Sequence, residues 1–88
     1  MKLSRQRIHA PSHSWLKVLT SEVCNLGLKE KISSFSYVSS CKKYMYLEED
    51  CDMDIYLKAL NSEVTIINKY LKRRSKIRNL DCYTSFII

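Results

Sequence analysis

The sequence predicts a small α+β domain: a two-layer sandwich with elements in the order β-α-β-β-α-β, ferredoxin-like or similar, plus an extra C-terminal strand or docked tail. Three observations carry that expectation. The 88 residues suffice for one domain. Short stretches of period-two alternation flank two stretches whose apolar residues recur three and four apart. Gly27 is the only glycine and Pro11 the only proline, too few for a many-turned β sandwich or a glycine-rich phosphate loop. A chain this short buries only about 60–65% of its unfolded surface. A surface contact or open cleft is therefore favoured over an enclosed cavity.

Taken in order, residues 1–11 read as a basic arm, with residues 12–88 as the domain. Lys2, Arg5 and Arg7 have little apolar company before Pro11, so the arm is expected to stay flexible until it meets a partner. His13–Leu19 reads as a strand with one largely buried face. Thr20 or Ser21 is placed to cap a helix, with Val23 and Leu26 on its inner side. Gly27 suits a left-handed C-terminus. Leu28 and Ile32 continue the apolar side, giving a broken or kinked helix over about 21–33.

Phe35–Val38 and Lys43–Leu47 alternate as a hairpin around Ser39, Ser40 and Cys41. Asp50 or Asp52 is placed to cap the next helix, which runs to about Asn61. Met53, Tyr56, Leu57 and Leu60 share one face of it. Glu63–Ile67 is the last strand of the repeat-free order. Leu80, Cys82, Tyr83, Phe86, Ile87 and Ile88 make the tail too apolar to be solvated. It is expected to dock as a further strand or to pair with another copy, which makes a homodimer one expected state.

Charge is segregated. The formal charge is +6, yet residues 48–54 carry five carboxylates and no cation. A basic balance favours acidic partners. The four cysteines include no C-x-x-C pair, and with two histidines no zinc-finger spacing exists. Residues 1–11 are basic without the following apolar stretch of a secretory signal. Reduced, mostly buried thiols in a cytosol are expected. No apolar run approaches the ~20 residues of a membrane span.

Two charge runs and one cysteine are the candidate sites. Glu48, Glu49, Asp50, Asp52 and Asp54 could bind a hard cation, but lack the spacing of a calcium loop. A helix N-terminus with ordinary electrostatics is the preferred reading, with Glu48, Glu49, Asp50 and Asp52 as a secondary acidic contact. Neither a metal nor a cofactor is expected. Cys51 lies at that helix start, where a thiol can be activated, but Asp50 and Asp52 flank it and oppose a thiolate. His9 or His13 could approach it only in space. A packed core thiol is preferred, and no catalytic residue is assigned.

The basic run Lys69, Tyr70, Lys72, Arg73, Arg74, Lys76 and Arg78 is the strongest binding signal. Arginine forks match phosphate or carboxylate, and tyrosine can stack a base. A solvated loop that keeps the domain dispersed explains the run equally well. The remaining tyrosines and Trp15 lie at core spacing and read as packing residues. Nothing matches an RNP motif, a GXXG loop or another nucleic-acid module.

The stretch Tyr46-Leu-Glu-Glu-Asp-Cys-Asp52, with Ile32-Ser-Ser-Phe-Ser-Tyr37 before it and Ser75-Lys-Ile-Arg-Asn79 after it, resembles small uncharacterised accessory proteins of tailed phages and prophages. The resemblance spans about residues 13–79 and carries no assigned activity. It implies a setting in the cytoplasm of a bacterial host. It also implies action by binding: inhibition of a host factor such as a defence enzyme (anti-CRISPR proteins act in this way), masking of nucleic acid, or sequestering of a nucleotide. The leading expectation is thus a non-enzymatic inhibitor that binds a host protein or nucleoprotein complex. The alternative is a nucleic-acid or nucleotide binder using residues 69–78.

Overall fold

The computed structural model describes residues 3–11, 13–71 and 80–84. Its elements are β1 (Leu3–His9), β2 (Ser14–Leu19), α1 (Thr20–Asn25), β3 (Tyr37–Val38), β4 (Tyr44–Glu48), α2 (Asp52–Leu60), β5 (Val64–Tyr70) and β6 (Asp81–Cys82). They build a compact α+β fold with one mixed six-strand sheet in the order β5-β1-β2-β4-β3-β6.

The N-terminal arm is the first correction. Leu3–His9 is a strand inside the sheet, antiparallel to β2 and parallel to β5. It separates β5 from β2, which a four-strand ferredoxin-like sheet would pair directly. The alternation Leu3, Arg5, Arg7 against Ser4, Gln6, Ile8 was masked because its inward positions are arginines. Pro11 lies in the tight β1–β2 connection, where the Ala10 N–H donates to the His13 carbonyl at 2.7 Å. Proline there removes no ladder donor.

Strand register fixes two faces. Leu16, Val18, Met45, Leu47 and Val38 point to the helical side, where Val23, Met53 and Tyr56 meet them in the main core. Trp15 and Ile8 are paired neighbours on the other face and anchor a second cluster. Ala10, Tyr37, Tyr46, Leu71 and Leu80 pack against them. Lys17 lies 4.4 Å from the Tyr44 ring centroid on that open face, a cation–π contact.

The first helix is shorter than expected. It ends at Asn25, and Gly27 follows with φ +74°, the left-handed conformation that glycine takes cheaply. Leu28 and Ile32 are buried as anticipated, but on irregular chain either side of the 29–31 turn rather than on helix. Neither Thr20 nor Ser21 caps α1. The chain passes from β2 into the helix without a loop, Leu19 takes the cap position, and the Thr20 hydroxyl is buried without a partner among the described residues.

The hairpin strand expected at Phe35–Val38 is reduced to Tyr37–Val38, and Phe35 is exposed in the preceding turn. Lys42 closes the β3–β4 turn in the left-handed region. The C-terminal segment docks, as one of the two expected outcomes had it: β6 pairs antiparallel with β3. Tyr83 is buried, its N–H donates to the Ser36 carbonyl at 2.8 Å, and its hydroxyl donates to the Lys29 carbonyl. The residues beyond Thr84, with Phe86, Ile87 and Ile88, lie outside the described set.

Candidate functional site

The acidic run is largely consumed by the fold. Asp52 is 1% exposed. Its carboxylate accepts the Ser33 N–H at 3.0 and 3.1 Å, the Ser33 hydroxyl at 2.7 Å, and the Ser36 hydroxyl. These bonds pin the 33–36 turn to the start of α2, and Ser36 in turn accepts the Glu48 N–H at 2.9 Å. Glu48, also buried, uses one oxygen to accept the N–H groups of Asp50 and Cys51, both at 3.0 Å.

The expectation that Asp50 or Asp52 caps α2 is therefore corrected. Cys51 occupies the cap position with helical backbone angles and no side-chain cap bond. Asp52 has turned inward, because two serines offer it three donors where a cap offers one. As contact residues, Glu48 and Asp52 are removed from the surface; Asp50 stays exposed. Among the described residues no cluster of histidine, cysteine, aspartate and glutamate is arranged to hold a metal.

Glu49 is tied to the N-terminal strand. It accepts the Ser14 hydroxyl at 2.6 Å and Arg7 Nη2 at 3.0 Å. The Ser14 bond first, and then Arg7, hold its carboxyl below the ordinary glutamate range. A second cluster repeats the scheme deeper in the fold. Arg5 Nη2 donates to both Glu22 oxygens at 3.0 and 2.7 Å, and its Nε donates to the Tyr56 hydroxyl at 2.9 Å. The Tyr56 hydroxyl donates to Glu22. Burial, and then the Glu22 carboxylate, push the Tyr56 phenol up to about 12.

The structure sets Cys51 and His13 on the walls of one groove. The groove is open, about 670 Å³, with Trp15, Phe35, Tyr37, Glu48 and Cys82 also among its walls. The electrostatics there oppose nucleophilic use. Desolvation raises the Cys51 thiol, and the Glu48, Asp52 and Asp50 carboxylates raise it further. A raised thiol leaves less thiolate at neutral pH.

The expectation of buried cysteines is overturned. Cys24, Cys41, Cys51 and Cys82 are all free and exposed. They sit on a helix surface, in a turn, at a helix cap and in a two-residue edge strand, positions that the core does not reach. Cys41 differs from Cys51 in sign. Its Sγ lies 3.4 Å from the Ser39 hydroxyl, and that bond, the backbone and charge of Lys43 lower its pKa.

Of the basic run, Lys69 and Tyr70 fall within the described residues, at the end of β5. Lys72, Arg73, Arg74, Lys76 and Arg78 lie outside them. Tyr70 is 73% exposed. One of its faces stacks on His9 of β1, with ring centroids 4.5 Å apart and planes within 16°. His9 is held by Asn68, with Nε2 and Oδ1 at 2.8 Å. Sequence spacing gave no sign of this stack, because the parallel β1–β5 register alone sets His9 beside Tyr70. Leu71 and Leu80, which flank the undescribed basic stretch, both pack on the Ile8–Trp15 cluster.

No family model, no curated protein and no solved structure matches this chain. No helix among the described residues is long and apolar enough to cross a membrane.

Proposed function

We propose that this chain is a non-enzymatic binding protein that offers an acidic partner the basic surface starting at Lys69 and Tyr70. The observation that supports the reading is the inward use of its acids. Glu22 and Glu49 are paired with arginines of β1, while Glu48 and Asp52 are buried on backbone and hydroxyl donors. The two ion pairs cancel charge for charge, and burial of Glu48 and Asp52 leaves the remaining surface more cationic than the formal charge suggests. Lys29, Lys31, Lys42, Lys43, Lys58 and Lys69 are all exposed.

In the phage-type setting suggested by the sequence, the partner is a host protein or nucleoprotein complex that the chain inhibits, as anti-defence proteins do. Pull-down from a bacterial lysate tests the idea. A captured protein released by moderate salt, and lost in the Arg73→Glu, Arg74→Glu variant, is expected. Capture that ignores both salt and the substitutions would sink the reading.

A nucleic-acid or nucleotide ligand is the second reading, favoured by the His9–Tyr70 stack, which leaves the other tyrosine face open for a base. Binding of single-stranded DNA or RNA would then fall steeply with salt and weaken in a Tyr70→Ala variant. The enzymatic alternative, resting on Cys51 beside His13, predicts that Cys51 is the most reactive thiol. The lowered Cys41 and raised Cys51 predict the reverse order of alkylation, read by mass spectrometry.

A further inference from the structure

The two edges of the sheet are built differently. Edge strands expose unpaired N–H and C=O groups, and proteins blunt them by shortness, charge, proline or bulges. One edge, β6, is two residues long. The other, β5, runs seven residues from Val64 to Tyr70 and among the described residues pairs only with β1. It contains no proline, and Lys69 is its single charge. Its Val-Thr-Ile-Ile composition is that of an interior strand. Ile67, 50% exposed, and Tyr70 both lie on it.

We propose that β5 is the seam of a homodimer, in which two copies pair antiparallel about a two-fold axis through Ile66 and join their sheets. Self-complementarity selects this occupant and this register. In an antiparallel ladder, residues whose backbone groups point outward face their like on the other strand. A two-fold axis must therefore pass at a residue and not between two.

With the axis at Ile66, Glu63 of each copy stands opposite Lys69 of the other, so the seam carries two opposite-charge cross-strand pairs. Such pairs favour a register, and like charges directly opposite oppose it. Thr65 then faces Ile67 twice, Val64 faces Asn68 twice, and Ile66 faces itself. Both Glu63 and Lys69 are exposed in the single copy, and neither takes part in an ion pair among the described residues. Isologous pairing of this kind closes on itself, so it stops at a dimer.

The test is sedimentation equilibrium on the full chain across micromolar to millimolar concentration, with two variants. The wild type is expected to move from 10.4 kDa toward twice that mass as concentration rises. Lys69→Glu and Glu63→Lys, each alone, set like charges opposite one another and are expected to remain monomeric. Mixed in equal amounts, the two variants restore both pairs and are expected to form a heterodimer. A wild type that stays monomeric throughout overturns the proposal and leaves β5 to an extended segment of another protein. A dimer that ignores the single substitutions, or a mixture that fails to associate, overturns the seam as well. Glu63→Lys leaves every residue of the basic run 69–78 in place, so loss of the dimer in that variant is separable from the outcome of the lysate experiment.

Discussion

β1 and β5 lie side by side, parallel and seven residues long, and their compositions are exchanged relative to their positions. The polar Leu-Ser-Arg-Gln-Arg-Ile-His strand is interior, and the apolar Val-Thr-Ile-Ile-Asn-Lys-Tyr strand is at the edge. The difference teaches that an interior strand need not be apolar if its inward groups find partners. Arg5 finds Glu22 and Tyr56; Arg7 finds Glu49 and Ser14. The edge strand, conversely, carries the composition of an interior one.

The largest expected effect is on the better buried arginine. Arg5 and Glu22 are 18% and 23% exposed, against 32% and 29% for Arg7 and Glu49. Arg5→Ala removes charge-assisted bonds and leaves Glu22 less compensated, at a cost of about 2 kcal/mol. Urea unfolding measures it. A loss below about 0.5 kcal/mol, the range of a neutral surface change, would break the claim that arginines hold β1 in the sheet.

The same cluster sets the alkaline limit. The Tyr56 phenol is raised in the fold, so its contribution is complete below the unfolded tyrosine value of about 10. It is lost as pH rises toward the folded value of about 12. Tyr56→Phe should reduce that arm of the pH profile, leaving the part that Tyr46 and Tyr83, both raised by burial, supply.

Arg7→Ala should cost less, about 1 kcal/mol, because the pair is more exposed to water. Glu49 is depressed in the fold, so its contribution is present above the unfolded glutamate value of about 4.3. It disappears as pH falls below that value. Glu49→Gln should flatten the acid arm of the urea midpoint, and an unchanged acid arm would separate Glu49 from the fold's acid sensitivity. The smallest effect belongs to β5. Ile67→Thr, measured at dilution, should change stability by less than about 0.5 kcal/mol, since the residue is half exposed. A larger loss would mean that β5 is packed within the single copy.

Much of the fold was legible because local periodicity carries it. The strands around Trp15, Tyr46 and Ile66 alternate, and Met53 and Tyr56 share a helical face. β1 was not legible, since apolar alternation is the usual signal and here the alternating inward residue is arginine. The helix expected through Ile32 failed for another reason. Leu28 and Ile32 have helical spacing, but the 33–36 turn is held by Asp52 from nineteen positions away, and no local window contains that bond. The acidic run was readable as a helix start; which carboxylate turned inward was not, because Ser33 and Ser36 decide it.

By itself the sequence determined an α+β domain with two helices, a C-terminal segment too apolar to be solvated, and a cationic balance. Those follow from short-range periodicity and from charge, which need no knowledge of neighbours. Tertiary structure alone decided that the basic arm became an interior strand, that Glu22 and Glu49 would pair with its arginines, and that an apolar strand would be left at the edge. Each of these depends on pairing between residues far apart in the chain. It is the insertion of β1 beside β5 that makes one polar strand internal and leaves one apolar strand at the edge.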